Sequence, residues 1–142
     1  MTASQLEGPL LELLFHYALG YRTFHYEKNR RYWTAEMGFS KMGISSISVI
    51  PNNGCLFKND AFVKSYNDSY LLNMLREENI GLKWDQDRNF VVYFQAFPEI
   101  EASHHKLQVA LQRVIIMLRV GNEITEKHLQ EVNYTQEDCT TS

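Results

Sequence analysis

The spacing of apolar positions changes along this chain, and the changes mark its elements. Leu10, Leu13, Leu14, Tyr17 and Ala18 recur at spacings of three and four, which predicts a helix over residues 2–19. Ser4 with Glu7 has the form of a capping box, while Gly8-Pro9 offers a competing start with proline at the first helical position. Gly20 is a natural stop. From Tyr21 the period falls to two. Phe24 and Tyr26 alternate with Arg22 and His25, and Trp33, Ala35 and Met37 alternate with Tyr32, Thr34 and Glu36. Residues 21–39 therefore read as a hairpin turning at the polar Glu27-Lys28-Asn29-Arg30. Residues 44–50 supply a third strand before Pro51-Asn52-Asn53-Gly54 breaks the chain. Helical spacing returns over 60–79 through Ala61, Phe62, Tyr66, Tyr70, Leu71, Met74 and Leu75. Asn67-Asp68-Ser69 can divide that region, with Asp68 capping a new helix, and Asn79-Ile80-Gly81 ends it.

Residues 82–120 are the most apolar stretch. They read as a second hairpin, 82–85 and 90–97, followed by a helix from about Ile100. Asp85-Gln86-Asp87-Arg88-Asn89 is a turn by composition, because Asp and Asn tolerate turn geometry and bond their own backbone. Alternation puts Phe90, Val92, Phe94 and Ala96 on one face of the second strand and Val91, Tyr93 and Phe97 on the other. Gln95 is its only strongly polar member, so the strand calls for cover on both sides. Pro98 is expected to stop it. In the helix, Leu107, Ala110, Leu111, Val114, Met117 and Leu118 form a stripe that Val109, Ile115, Ile116 and Val120 widen beyond one face. The order α-βββ-α-ββ-α predicts an α+β domain, an antiparallel sheet with helices packed on one face.

Length is consistent with one domain, since 142 residues can bury a core without staples. Residues 1–121 form that domain on this reading. Residues 122–142 are an acidic C-terminal tail, in part a short helix capped by Asn122 and polar and disordered from Tyr134. Five tail carboxylates face one lysine, a tail charge of −4 against −3 for the whole chain, so the excess acidity lies in the tail and the body is about neutral to +1. That balance argues against general nucleic-acid binding, which needs a basic field. Cys55 and Cys139 lie far apart, no secretory segment is seen, and no apolar run is long enough to cross a bilayer. A cytoplasmic protein with free thiols, away from the membrane, is expected.

Little catalytic chemistry is legible. Glu101 precedes His104 by three residues and His105 by four, but a metal site needs three or four convergent ligands and no second pair has ligand spacing. His16, between Phe15 and Tyr17, reads as a half-buried, hydrogen-bonded side chain. Cys55 beside His25 or His16 would need an oxyanion site in the same pocket, and a small buried residue is the simpler reading. The scattered glycines fit no phosphate-binding loop. No catalytic residue, metal site or cofactor is therefore expected. Lys28, Arg30, Arg31, Tyr32 and Trp33 crowd one turn, and cations with aromatic rings can hold a nucleic-acid strand. The plainer account is a solubilised turn with Trp33 in the core. The apolar surplus at Val91, Tyr93, Phe97, Val109, Ile115 and Ile116 reads either as a thicker core or as a dimer or partner interface.

Residues 70–75 (Tyr-Leu-Leu-Asn-Met-Leu), Leu82-Lys83-Trp84-Asp85, the apolar strand ending at Pro98 and the long final helix give a pattern that resembles the class I type III secretion chaperones and the related YbjN-like bacterial domains. The resemblance covers roughly residues 9–120 as a pattern of elements. It implies a cytoplasmic, non-enzymatic homodimer that binds an extended segment of a partner protein, and it assigns no site residues. The expected function is a protein-interaction module; the alternative is a nucleic-acid-associated factor using the basic aromatic hairpin.

Overall fold

The computed structural model describes residues 1–27, 32–37, 46–51 and 67–134, and structural statements below concern these residues. The fold is α+β. Its elements are α1 (Gly8–Ala18), β1 (Tyr21–Glu27), β2 (Tyr32–Met37), β3 (Ser46–Pro51), α2 (Asp68–Glu77), β4 (Ile80–Trp84), β5 (Phe90–Phe94), β6 (Phe97–His104), α3 (Leu107–Arg119) and α4 (Glu126–Glu131). All strand pairing is antiparallel, and the strands form two meanders, β1-β2-β3 and β4-β5-β6. The chain divides into two compact units, each holding one of these sheets. One unit takes residues 1–6 and 65–123, the other 7–64 and 124–142, so each is made of two separate stretches of the chain. Residues 124–134 are part of the second unit, with Ile124 and Val132 buried.

In that second unit, Gly8-Pro9 wins the competition to start the first helix, with proline in the first turn of α1. Residues Ala3–Gln5 form a separate 3-10 turn that belongs to the other unit. The buried face of the sheet carries Phe24, Trp33, Ala35 and Ile50, and α1 packs against β1 and β3. Strict alternation would put Arg22 on the face of Phe24 and Tyr26. A bulge between Arg22 and His25 prevents this, with Thr23 in the left-handed region at φ 58°. Arg22 is thereby turned outward, where its guanidinium lies 3.9 Å from the Tyr17 ring centre and donates to the carbonyls of Tyr17 and Tyr21.

In the first unit, α2 starts at Asn67, whose side chain accepts the Tyr70 N–H at 2.8 Å, one residue before the expected cap. Asn79 at φ 58° ends the turn after the helix, and β4 begins at once. The expected strand 90–97 is two strands: the chain reverses at Gln95–Ala96, and Phe97–His104 returns as β6. Gln95, the polar exception in that run, is the turn. Pro98 does not end a strand but lies within β6, an edge strand, where a missing N–H is tolerated. α3 consequently starts at Leu107 rather than near Ile100. It packs on β5 and β6, and every residue from Ala110 to Ile116 is buried, including Gln112 and Arg113. The buried Arg113 donates to the carbonyls of Leu6 at 2.9 Å and Ser103 at 3.1 Å, tying the N-terminal segment to the sheet. The Ala3 N–H donates to the Asn122 carbonyl, so Asn122 holds the N-terminal segment, and α4 is capped from Thr125 instead.

Candidate interaction surface

The second meander positions the surface with most to offer a partner. Its β4–β5 turn is built by Asp85, as composition predicts. One carboxylate oxygen accepts the N–H groups of Asp87 at 2.8 Å and Asn89 at 2.9 Å, and the other accepts the Asn89 amide at 3.3 Å. Bonds to the charged form, led by the Asn89 backbone, hold the Asp85 carboxyl below its ordinary value. Arg88 takes the left-handed conformation that closes the turn.

Register then decides which side chains share a face. Ile80 opposes Phe94, Leu82 opposes Val92, which opposes Ala102, and Trp84 opposes Phe90, which opposes His104. Ile80, Val92 and Ala102 are buried. Cover runs out towards the strand end: Leu82 is 38% exposed and Trp84 63%, with the Trp84 and Phe90 rings 4.5 Å apart. At the opposite end of β5, Phe97 is 55% exposed and stacks on Phe94 at 5.9 Å. The other face is mixed. The Tyr93 ring lies so close over Gly81 that a Cβ there would meet it at 2.3 Å, and the Lys83 ammonium stands 5.3 Å from the same ring and 3.9 Å from Glu101. β4 is also an edge strand, with β5 on one side and no strand on the other among the described residues.

The six residues expected at an interface separate. Ile115 and Ile116 are 0% exposed and Val91 is buried, so the folded chain absorbs them as core. Val109 and Tyr93 are half-buried. Phe97 alone of the six is an exposed large apolar residue, and it lies on β6 opposite Phe94 rather than beside Val91 and Tyr93. Sequence reasoning passed over Leu82 and Trp84. Their signal was present in the alternation of Ile80, Leu82 and Trp84 along the first strand of a meander, which is necessarily an outer one.

Of the five residues singled out in the basic hairpin, two fall among the described residues. Lys28, Arg30 and Arg31 lie outside the described residues; Tyr32 is half-buried, and Trp33 is 0% exposed between Tyr26 at 4.6 Å and Tyr134 at 6.3 Å. A ring enclosed in this way cannot receive a base. His16 is fully buried, with Nδ1 2.7 Å from the Glu12 carbonyl, and its rings of contact are Phe15 and Tyr21. His104, the last residue of β6, and His105 just after it stack at 4.2 Å, not on a helix, and His104 Nδ1 accepts the Lys106 N–H at 3.0 Å. Glu101 sits on β6 with Lys83. Among the described residues no three His, Cys, Asp or Glu side chains converge as metal ligands, and no helix is long and apolar enough to cross a membrane. Cys55 and Cys139 lie outside the described residues. An open cleft of about 410 Å³ is lined by Ser4, Asp85, Val91, Glu101, Ala102 and Ser103. Its carboxylates are already engaged, Asp85 by its turn and Glu101 by Lys83.

No family model matches the chain, and a search of the curated proteins found no match.

Proposed function

We propose that the chain is a non-enzymatic protein-interaction module that captures an extended segment of a partner protein along β4. The observation carrying this reading is an edge strand whose buried face runs out of cover at Leu82 and Trp84, leaving both exposed. Edge strands that avoid pairing carry charges, bulges or proline; Ile80–Trp84 has one charge, Lys83, on the face away from Leu82 and Trp84, and neither bulge nor proline. Strand addition there supplies main-chain hydrogen bonds, and alternate apolar side chains of the partner would lie beside Leu82 and Trp84. The resemblance in element order to secretion chaperones and YbjN-like domains supports the same kind of partner, cytoplasmic and extended. A homodimer formed through two β4 edges is the competing use of this surface. The burial of Trp33 removes the main support for nucleic-acid stacking.

The test compares the tagged full-length protein with its Leu82→Lys, Trp84→Lys variant in nuclease-treated pull-downs from its own host. A stoichiometric partner retained by the unaltered protein and lost from the variant, at equal thermal stability, is the expected result. Equal recovery by both would overturn the assignment to β4. Loss of all bound material on nuclease treatment would move the function to nucleic acid.

A further inference from the structure

The first sheet carries a second aromatic surface, and the chain covers it with its own C-terminal segment. Residues 124–134 follow α3 in sequence yet belong to the unit of β1, β2 and α1. Three contacts and the burial of Val132 hold them there. The Asn133 amide donates to the Phe24 carbonyl beside the β1 bulge, and the Tyr17 hydroxyl donates to the Glu131 carboxylate. Tyr134 lies against Trp33, and Val132 is completely buried.

The segment has the features of a ligand more than of a founding element. α4 is a single six-residue helix, far below the length at which a helix sustains itself, so its structure depends on docking. The sheet it docks on is aromatic: Trp33 lies against Tyr134 on one side and Tyr26 on the other, and Phe24 is buried on the neighbouring strand. Its rim presents a hydroxyl donor, Tyr17, and a cation, Arg22, held 3.9 Å from the Tyr17 ring centre. A hydroxyl donor with a cation beside it suits a carboxylate, and Glu131 takes the Tyr17 hydroxyl. The fit is incomplete. Among the described residues the buried Trp33 indole N–H has no hydrogen-bond acceptor, a defect of the kind that costs free energy in a closed interior. Thr23, a β-branched residue, is held in a left-handed conformation next to the tethered carbonyl.

We infer that residues 124–134 are an exchangeable strap over a second docking surface, whose external occupant is a short acidic helical segment of a partner protein. That occupant repeats the strap's pattern: a carboxylate for Tyr17 and Arg22, a branched aliphatic residue in place of Val132, and an aromatic ring over Trp33. A backbone carbonyl placed at the indole N–H would let it displace the strap. The inference is independent of the β4 surface, which lies in the other unit.

The test alters the strap and leaves the surface beneath it intact. Trp84→Phe makes Trp33 the sole tryptophan of the full-length chain. In that background Val132→Asp should expose Trp33 to acrylamide. A fluorescently labelled peptide of residues 124–134 should then bind the variant at least about tenfold more tightly than the unaltered chain, because the closed strap no longer competes. The same peptide carrying Val132→Asp should not bind. If Val132→Asp prevents folding, Glu131→Gln with Asn133→Ala is read by the same two measurements. A folded strap variant in which Trp33 stays shielded, or which binds the peptide no better, overturns the proposal. So does a variant that dimerises by exchanging straps, since the occupant would then be a second copy.

Discussion

Trp33 and Trp84 stand in two three-stranded antiparallel sheets, yet one is fully buried and the other 63% exposed. Trp33 lies on β2, the central strand of its sheet, on the face where Phe24, Ile50 and Tyr134 also gather. Trp84 lies at the end of β4, an outer strand, beyond the part of the face where Val92 and Ala102 are covered. The difference therefore comes from strand position and from what packs above, not from the residue or its local pattern. It also separates two states of aromatic surface: one is covered by the chain itself, and the other is left uncovered.

The strongest way to break that comparison is to truncate both rings. Trp33→Ala should destabilise the protein by about 3–5 kcal/mol, the cost of emptying a packed aromatic site. Trp84→Ala should change stability by no more than about 0.5 kcal/mol while abolishing partner capture. Chemical denaturation of both variants checks the pair, and similar losses would mean that Trp84 is core under native conditions. Gly81→Ala probes the open sheet next. An added Cβ meets the Tyr93 ring, so a loss of about 1–3 kcal/mol is expected unless the ring swings off β4. Tyr93→Ala in the same chain should remove that penalty.

Thr23→Gly sharpens the other side. Relieving a left-handed β-branched residue should raise stability by about 1 kcal/mol, measured as a shift in the denaturation midpoint. The smallest effects are in pH, and they run in opposite directions in the two units. Donation to Glu131, with burial adding to it, raises the Tyr17 pKa above its ordinary value of about 10, against the lowering influence of Arg22. Its contribution to stability is complete below that ordinary value and is lost as pH rises through the folded one. Asp85 is lowered from its ordinary value of about 4, so its contribution is complete above that value and is lost as pH falls through the folded one. Hydrogen exchange should therefore rise around α4 at alkaline pH and around the β4–β5 turn in acid. Tyr17→Phe and Asp85→Asn should each remove only their own response.

Much of this fold was legible in the chain. Period alone separated α1, the first hairpin, α2 and the stretch that became the second sheet, because each element shows one face to a core. Turn chemistry was equally readable where a side chain bonds its own backbone, as Asp85 does. Less legible was the division of the apolar run from Phe90 to His104. Gln95 gave a hint of the turn, but apolar residues on both sides of it are compatible with one long strand until a third strand is paired. Thr23 was harder still, since a bulge leaves no mark in composition.

The interface residues expected from apolar surplus show the limit most clearly. The sequence by itself determined that α3 has more apolar surface than one helix face requires, and that an α+β fold would bury most of it. It could not assign Ile115 and Ile116 to core and Leu82 and Trp84 to surface. Burial is a property of what packs against a residue, set by strand order and by long-range contacts such as Arg113 with Leu6. Only the tertiary structure placed β4 at an outer edge, and only it folded residues 124–134 onto the first sheet in place of a tail. Local periodicity records which side of an element is apolar. Which element arrives to cover that side is decided by contacts between residues far apart in the chain, and no window along the sequence contains them.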